Sequence, residues 1–322
     1  MTLGTVGLAG NIFAIRWFTP RRNKKPFIKI VWILAIVDLC GSLSILNGAL
    51  ELFGNVYVVS AAYCKTSRSI SFMCLSSSMF LLSLVSIERY NTICRPFGKQ
   101  MSMKMTMYII ALAGTVLIAF SVLNIFTFDK VTKYVQLSSS DTLLINICEI
   151  QSDTLLGNGS IPTVLEMFGM SLAAVSAICI IVTYTLIVLS IYRHIQSTRL
   201  LNRQASHVAV ATTTESAQNF DNIVDTNRRT RLANYRRSEI RATLMMLVNS
   251  TVLLVSFVPY FVFNKHNPDN LIHKLPINEV FVIQITVWIN NIMNPIVYFI
   301  MHADFRSFVK NSMLSCKRDT LN

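Results

Sequence analysis

Long apolar runs separated by short polar segments dominate the chain. They cover Thr2–Phe18, Phe27–Leu52, Cys64–Cys94, Thr106–Phe128, Thr163–Tyr192, Ser238–Phe263 and Ile277–Met301. A helix needs about 20 apolar residues to cross a bilayer, and all but the short first run reach that length. The pattern therefore predicts an all-α membrane protein, a seven-transmembrane helix bundle. Pro259 and Pro295 fall inside the sixth and seventh runs, where a missing backbone donor bends a helix. Only ten residues precede Asn11, so the outer amino-terminal segment is expected to be incomplete.

The polar segments carry signals of their own. In Asp129–Ile161, KYVQL and LLINICEI flank SSSD, which predicts a β-hairpin. The stretch 193–237 is rich in Ala, Thr, Ser, Asn and Arg without apolar period, and is expected to be a partly disordered loop. In Ala303–Leu314, Phe305, Phe308 and Val309 recur at helical spacing, which predicts a short helix lying along the membrane surface. The domain reading is 1–302 for the bundle and 303–322 for the amphipathic helix and tail.

Composition agrees. Of 322 residues, 52% are hydrophobic and 14% charged, against about 25% charged in a soluble domain. Mean hydropathy is +0.50. The net charge of +13 is a matter of topology. Lys65, Arg68, Lys130, Lys133, Lys265 and Lys274 lie on one side, and the other 23 of the 29 Lys and Arg on the opposite side. Basic loops stay in the cytoplasm, so the amino terminus is expected outside and the carboxyl terminus inside, with no nucleic-acid partner implied. Cys64 and Cys148 then face outward, where a disulfide is permitted. Asn158-Gly159-Ser160 is a glycosylation pattern on that side.

Two charged features stand out. Glu88-Arg89-Tyr90 sits where the third helix leaves the lipid. It reads either as a snorkelling interface pair or as a switch in which Arg89 exchanges partners. Asp38 lies mid-span, and its burial must be offset by a proton, a cation or hydrogen bonds. No HExxH, GxSxG or paired membrane aspartates occur, so an enzyme is not expected. The absence of an evident internal repeat argues against a transporter.

With these residues in order, the chain resembles the rhodopsin-like family of G-protein-coupled receptors over nearly its whole length. Asn11 and Asp38 match the first- and second-helix polar positions. Cys64 stands 25 residues before Arg89, the spacing of the family's outer disulfide cysteine, and Glu88 to Phe97 (ERYNTICRPF) matches the inner end of the third helix. Tyr184, the Pro259 motif and Asn294-Pro295-Ile296-Val297-Tyr298 match the fifth, sixth and seventh helices. The fourth-helix tryptophan and fifth-helix proline of the family are missing, Ser176 standing at the latter, and Phe257 replaces a tryptophan.

The resemblance implies a set of roles. Glu88, Arg89, Tyr90, Pro96, Phe97, Tyr184, Glu239, Asn294, Pro295 and Tyr298 would form the switch and G-protein surface. Glu239 would hold Arg89 at rest, and Phe97 would dock the heterotrimeric G protein. Asn11, Asp38, Ser78, Asn290 and Asn294 would form a polar cluster able to hold Na⁺, with no other cofactor. Cys64 and Cys148 would pair, and Cys316 would be a palmitoylation site in contact with membrane lipid. The implied location is the plasma membrane.

For the ligand, the aspartate that amine receptors place 18 residues before the third-helix arginine is Ser71, which disfavours an amine. The seventh run has no lysine, which disfavours retinal. The long outer hairpin resembles peptide receptors. Ser71, Phe168, Phe257, Tyr260, Phe261, Asn264, Gln284 and Trp288 are the pocket candidates. An extracellular neuropeptide is expected, with a lipid or other small neutral ligand as the alternative.

Overall fold

The computed structural model describes residues 2–54, 60–136, 142–150, 160–209, 238–258 and 277–319. Helix α1 (Thr2–Phe18) passes through a 3-10 turn (Thr19–Arg21) into α2 (Pro26–Gly54), then α3 (Ala61–Cys94) and α4 (Met103–Asn124). Strands β1 (Phe128–Gln136) and β2 (Thr142–Ile150) follow, then α5 (Ser160–Ala209). Helix α6 (Ser238–Val258) precedes α7 (Ile277–Met301) and α8 (Ala303–Asp319). The seven expected crossings are α1 to α7, and α8 is the expected helix after the last of them.

Local chemistry sets the helix starts. Ser60 and Ser102 cap α3 and α4, their hydroxyls accepting from the backbone N–H of Tyr63 and Met105, the favoured N-cap arrangement. At α2, the Lys25 carbonyl accepts the first helical bond, from Lys29 N. Pro26 takes the first helical position, where its fixed φ fits and its missing donor costs nothing.

Helix α3 is the hub. It packs against α2, α4 and α5 and touches both hairpin strands. Leu82 and Val85 of α3 meet a core that includes Val31 and Leu34 of α2, Ile187 of α5 and Met246 of α6, all fully buried. Helices α4 and α5 turn large apolar side chains outward, among them Tyr108, Val116, Val175 and Ile178. Exposed apolar surface on this scale belongs against lipid. Close helix approach demands glycine in two places. A Cβ on Gly41 would fall on the Asn291 amide, and one on Gly10 would lie 2.7 Å from the Pro295 ring.

Two helix ends differ most from the hydropathy reading. The fourth helix stops at Asn124, not Phe128. The Thr127 hydroxyl donates to both the carbonyl and the side-chain oxygen of Asn124, closing a turn that launches β1. Helix α5 runs to Ala209, past the expected boundary at Tyr192, although its apolar part ends at Arg193. Leu, Arg, Gln and Ala in this extension are strong helix formers, and a helix needs no lipid to satisfy its backbone. Helix α8 turns its apolar face to protein: Phe305 and Val309 are buried, and Trp17 of α1 lies 5.2 Å from Phe308 and 6.0 Å from Phe305 between ring centroids.

The hairpin forms as expected. The strands pair antiparallel from Phe128 opposite Ile150 to Gln136 opposite Thr142, which places Cys148 opposite Lys130. Asp129 ties the hairpin to α3 through Lys65 at 3.2 Å. The Lys130 backbone N–H and the Lys65 ammonium hold the Asp129 carboxyl below the usual carboxylate range.

Candidate functional site

The charged cluster sits at the Arg89 end of α3. Arg89 is 1% exposed, the largest fully buried side chain among the described residues. A buried guanidinium is tolerable only when its donors are met by acceptors. Here Arg89 Nε donates to Glu88 Oε2 at 2.7 Å, and Nη2 reaches the same oxygen at 2.6 Å. Nη1 donates to Glu239 Oε2 at 2.7 Å. Glu88 also accepts from the Thr92 hydroxyl. Glu239 lies in the first turn of α6, where the helix dipole favours a carboxylate. One side chain of α3 thus ties α3 to α6.

Two contacts in this cluster escaped the sequence. Lys25 Nζ lies 2.6 Å from Glu239 Oε1, and the Arg89 guanidinium stacks 3.8 Å from the Phe27 ring centre. Both residues sit in a basic loop and helix start that topology alone accounted for, so nothing in their pattern singled them out.

The other switch candidates surround this cluster. Tyr184 and Tyr298 are buried, and their hydroxyls lack a hydrogen-bond partner within the described protein. The Tyr184 hydroxyl lies beside Ser250 and within the field of Arg89. The Tyr298 ring packs against Phe18 and Phe305. Tyr90 is half-buried, with Arg95 5.6 Å from its ring centre. Pro96 is exposed, and Phe97 is 103% exposed. Pro295 is inside α7.

The second cluster lies deeper in the bundle. Ser78 Oγ donates to Asp38 Oδ1 at 2.8 Å, and Asn294 Nδ2 donates to Asp38 Oδ2. Asp38, Ser78 and Asn294 from three helices are therefore brought together. Asn11 Nδ2 donates to the Asn291 carbonyl at 2.9 Å and to the Gly7 carbonyl at 3.0 Å, pinning α1 to α7. The structure records no hydrogen bond from Asn11 to Asp38. Asn290 is buried, and its amide nitrogen has no hydrogen-bond partner among the described residues. Asn291, Asn249 and Ser250 join these buried polar groups without having been singled out.

At the hairpin end, Ser71 is half-buried. Phe168 stacks face to face on Phe120 at 3.7 Å and tilts against Phe72 at 6.5 Å, so it fastens α5 to α4 and α3. Phe257 is half-buried against the core. Cys64 is buried and disulfide-bonded. Tyr260, Phe261, Asn264 and Asn158 lie outside the described residues, as do the side chains of Gln284, Trp288 and Cys316.

The chain is similar to known proteins. The D(1B) dopamine receptor of Xenopus laevis is 27% identical, the match covering 96% of this chain and 67% of that receptor. The crystal structure of squid rhodopsin superposes with a TM-score of 0.69 at 19% identity, covering 98% of this chain and 80% of that one; at that identity the likeness speaks for the fold. The model of the seven-transmembrane receptor (rhodopsin) family matches residues 10–298, and the chain belongs to that family of multi-pass, G-protein-coupled membrane receptors.

Proposed function

We propose that the chain is a peptide receptor whose ligand lands at the hairpin end and whose Arg89 end activates a heterotrimeric G protein. The single observation that carries the mechanism is the Arg89–Glu239 pair, which closes α6 onto α3. In the active state Arg89 leaves Glu239 and turns towards the hydroxyls of Tyr184 and Tyr298, for which no hydrogen-bond partner is found among the described residues. The inner end of α6 swings outward. Phe97, fully exposed beside Arg95, then docks the G protein. A ligand drives this change only by binding the open state better.

The orientation follows from charge. The Arg89 end carries the basic loops, so it is the cytoplasmic one, and the amino terminus and hairpin are outside. Outside, Cys64 pairs with Cys148 and Asn158 carries a glycan. Inside, Cys316 on α8 takes a palmitoyl chain. The units are the receptor domain 1–302 and the helix-and-tail segment 303–322.

A peptide is favoured over an amine despite the dopamine receptor among the relatives. Ser71 offers no carboxylate to a protonated amine, whereas a nine-residue-per-strand hairpin tied to α3 offers strand backbone to an extended ligand. The residues around Asp38 fit a small monovalent cation. The carboxylate, the Ser78 hydroxyl and the unpartnered Asn294 side-chain oxygen are hard oxygen donors suited to Na⁺, which would stabilise the resting bundle.

The test is agonist-stimulated nucleotide exchange with panels of peptides, biogenic amines and neutral lipids. Activation by a peptide supports the reading. Activation by an amine or a lipid alone replaces the ligand class. Arg89→Ala should abolish coupling to the active ligand and leave its binding intact; unchanged coupling would remove the switch.

A further inference from the structure

We propose that Lys25, at the start of α2, is a positioning residue of the resting lock: it holds Glu239 in the orientation that grips Arg89 and thereby sets basal signalling. This rests on the receptor reading above. Glu239 is shared between two cations, one per oxygen. Oε2 takes Arg89 at 2.7 Å, and Oε1 takes Lys25 at 2.6 Å. With Glu88 and Glu239 around Arg89 alone, the cluster carries one net negative charge at a site where Arg89 is 1% and Glu88 9% exposed. Lys25 brings the four-charge cluster to neutrality, which a poorly solvated setting favours.

The root of Lys25 is fixed. Its carbonyl accepts the first hydrogen bond of α2, and Pro26 locks the next φ. Two residues on, Phe27 is buried and its ring lies under the Arg89 guanidinium. The segment Lys25–Phe27 therefore touches both partners of the α3–α6 pair. It ties α6 to α2 as well as to α3. Without Lys25, Oε1 faces no cation in the cluster, and the carboxylate is free to turn towards water and loosen its hold on Arg89.

The experiment measures agonist-free nucleotide exchange on a panel of purified heterotrimeric G proteins, per receptor at the surface. Lys25→Ala should raise it about three- to five-fold, the scale of one partly solvated ion pair acting on a two-state equilibrium. Lys25→Arg should restore the wild-type level. In a Glu239→Gln background, Lys25→Ala should add nothing, because Lys25 acts through Glu239. On a G protein that the unmodified chain activates, no rise at normal surface expression overturns the proposal, as does an equal rise in the Glu239→Gln background. Spin labels at Lys104 and Arg241 give a readout that needs no G protein. Lys25→Ala should move the distance distribution towards longer values, and an unchanged distribution overturns the tether. A shifted distribution without exchange on any G protein supports the tether and overturns the receptor reading instead.

Discussion

Glu239→Gln is the most discriminating substitution this structure offers. The side chain keeps its size and an acceptor oxygen but loses the charge that faces Arg89 at 2.7 Å. Two unit charges at that range attract by about 6 kcal/mol at an effective dielectric of about 20. Desolvation takes back much of this, and hydrogen bonds to charged groups net about 1.5–3 kcal/mol. Arg89 is 1% exposed and Glu239 14%, so solvent screening removes little more. Glu88 still satisfies the guanidinium on its other side, and glutamine retains part of the bond. The expected loss is therefore about 1.5 kcal/mol, roughly tenfold in the ratio of resting to active receptor. A receptor active about 1% of the time at rest would become active about 10% of the time. Agonist-free nucleotide exchange per surface receptor measures this directly. The sign is informative, because a merely misfolded variant would signal less. A change below about two-fold with normal surface expression would show that the pair does not hold α6 closed.

Three further outcomes are expected. If Asp38 is the anchor of a sodium site, the thermal midpoint of the purified receptor should be higher in sodium chloride than in choline chloride, and Asp38→Asn should erase the difference; an equal midpoint in both salts for the unmodified chain would count against the site. Trp17→Ala removes the ring that covers Phe305 and Phe308, and should lower stability by about 3 kcal/mol, read as a fallen melting midpoint together with faster exchange of α8 amides. The Asp129 carboxyl is held low by the Lys130 N–H and by Lys65, so its contribution to docking the hairpin is present above the unfolded carboxylate value of about 3.9 and is lost as pH falls through the depressed one. The protection factors of β1 amides, which allow for the slower intrinsic exchange in acid, should fall at acid pH in the unmodified chain, and Asp129→Asn should lower them even at neutral pH.

The parts of this fold that sequence reveals are those that lipid and backbone geometry dictate. A bilayer demands long apolar helices, so crossings such as Cys64–Cys94 and Ile277–Met301 can be read almost to the residue. The hairpin was legible because polar Ser138 to Asp141 separates two strands of alternating or β-branched residues. The boundaries that failed are those where hydropathy and helicity part company. Ile125 to Thr127 is mostly apolar yet turns, because a side-chain bond between Thr127 and Asn124 outcompetes another helical turn. Residues 193–209 are polar yet helical, because leaving the membrane removes lipid and not hydrogen bonding.

The site divides in the same way. Arg89, Glu239 and Asp38 were legible because a charge near or inside a membrane span needs a partner, and the search for one is short. Lys25 and Phe27 were not, because a lysine in a basic loop carries the same pattern whether it only sets topology or grips a carboxylate. What decides between these is a contact across 214 residues of sequence, which local periodicity cannot encode. Asn249 shows the reverse. Its sequence position inside an apolar helix looks like an unused glycosylation triplet, yet in the bundle it is buried with both amide atoms lacking a hydrogen-bond partner among the described residues, as are the hydroxyls of Ser250, Tyr184 and Tyr298. Each unmet group costs about 1–3 kcal/mol unless water or a moved side chain satisfies it. The resting bundle therefore sets a charged clasp at Arg89 against unmet hydrogen-bonding groups on α5, α6 and α7. In the proposed switch, a helix movement that let those groups meet one another, or meet Arg89, would recover part of what opening the clasp costs, which is the balance a ligand needs if it is to choose between two states.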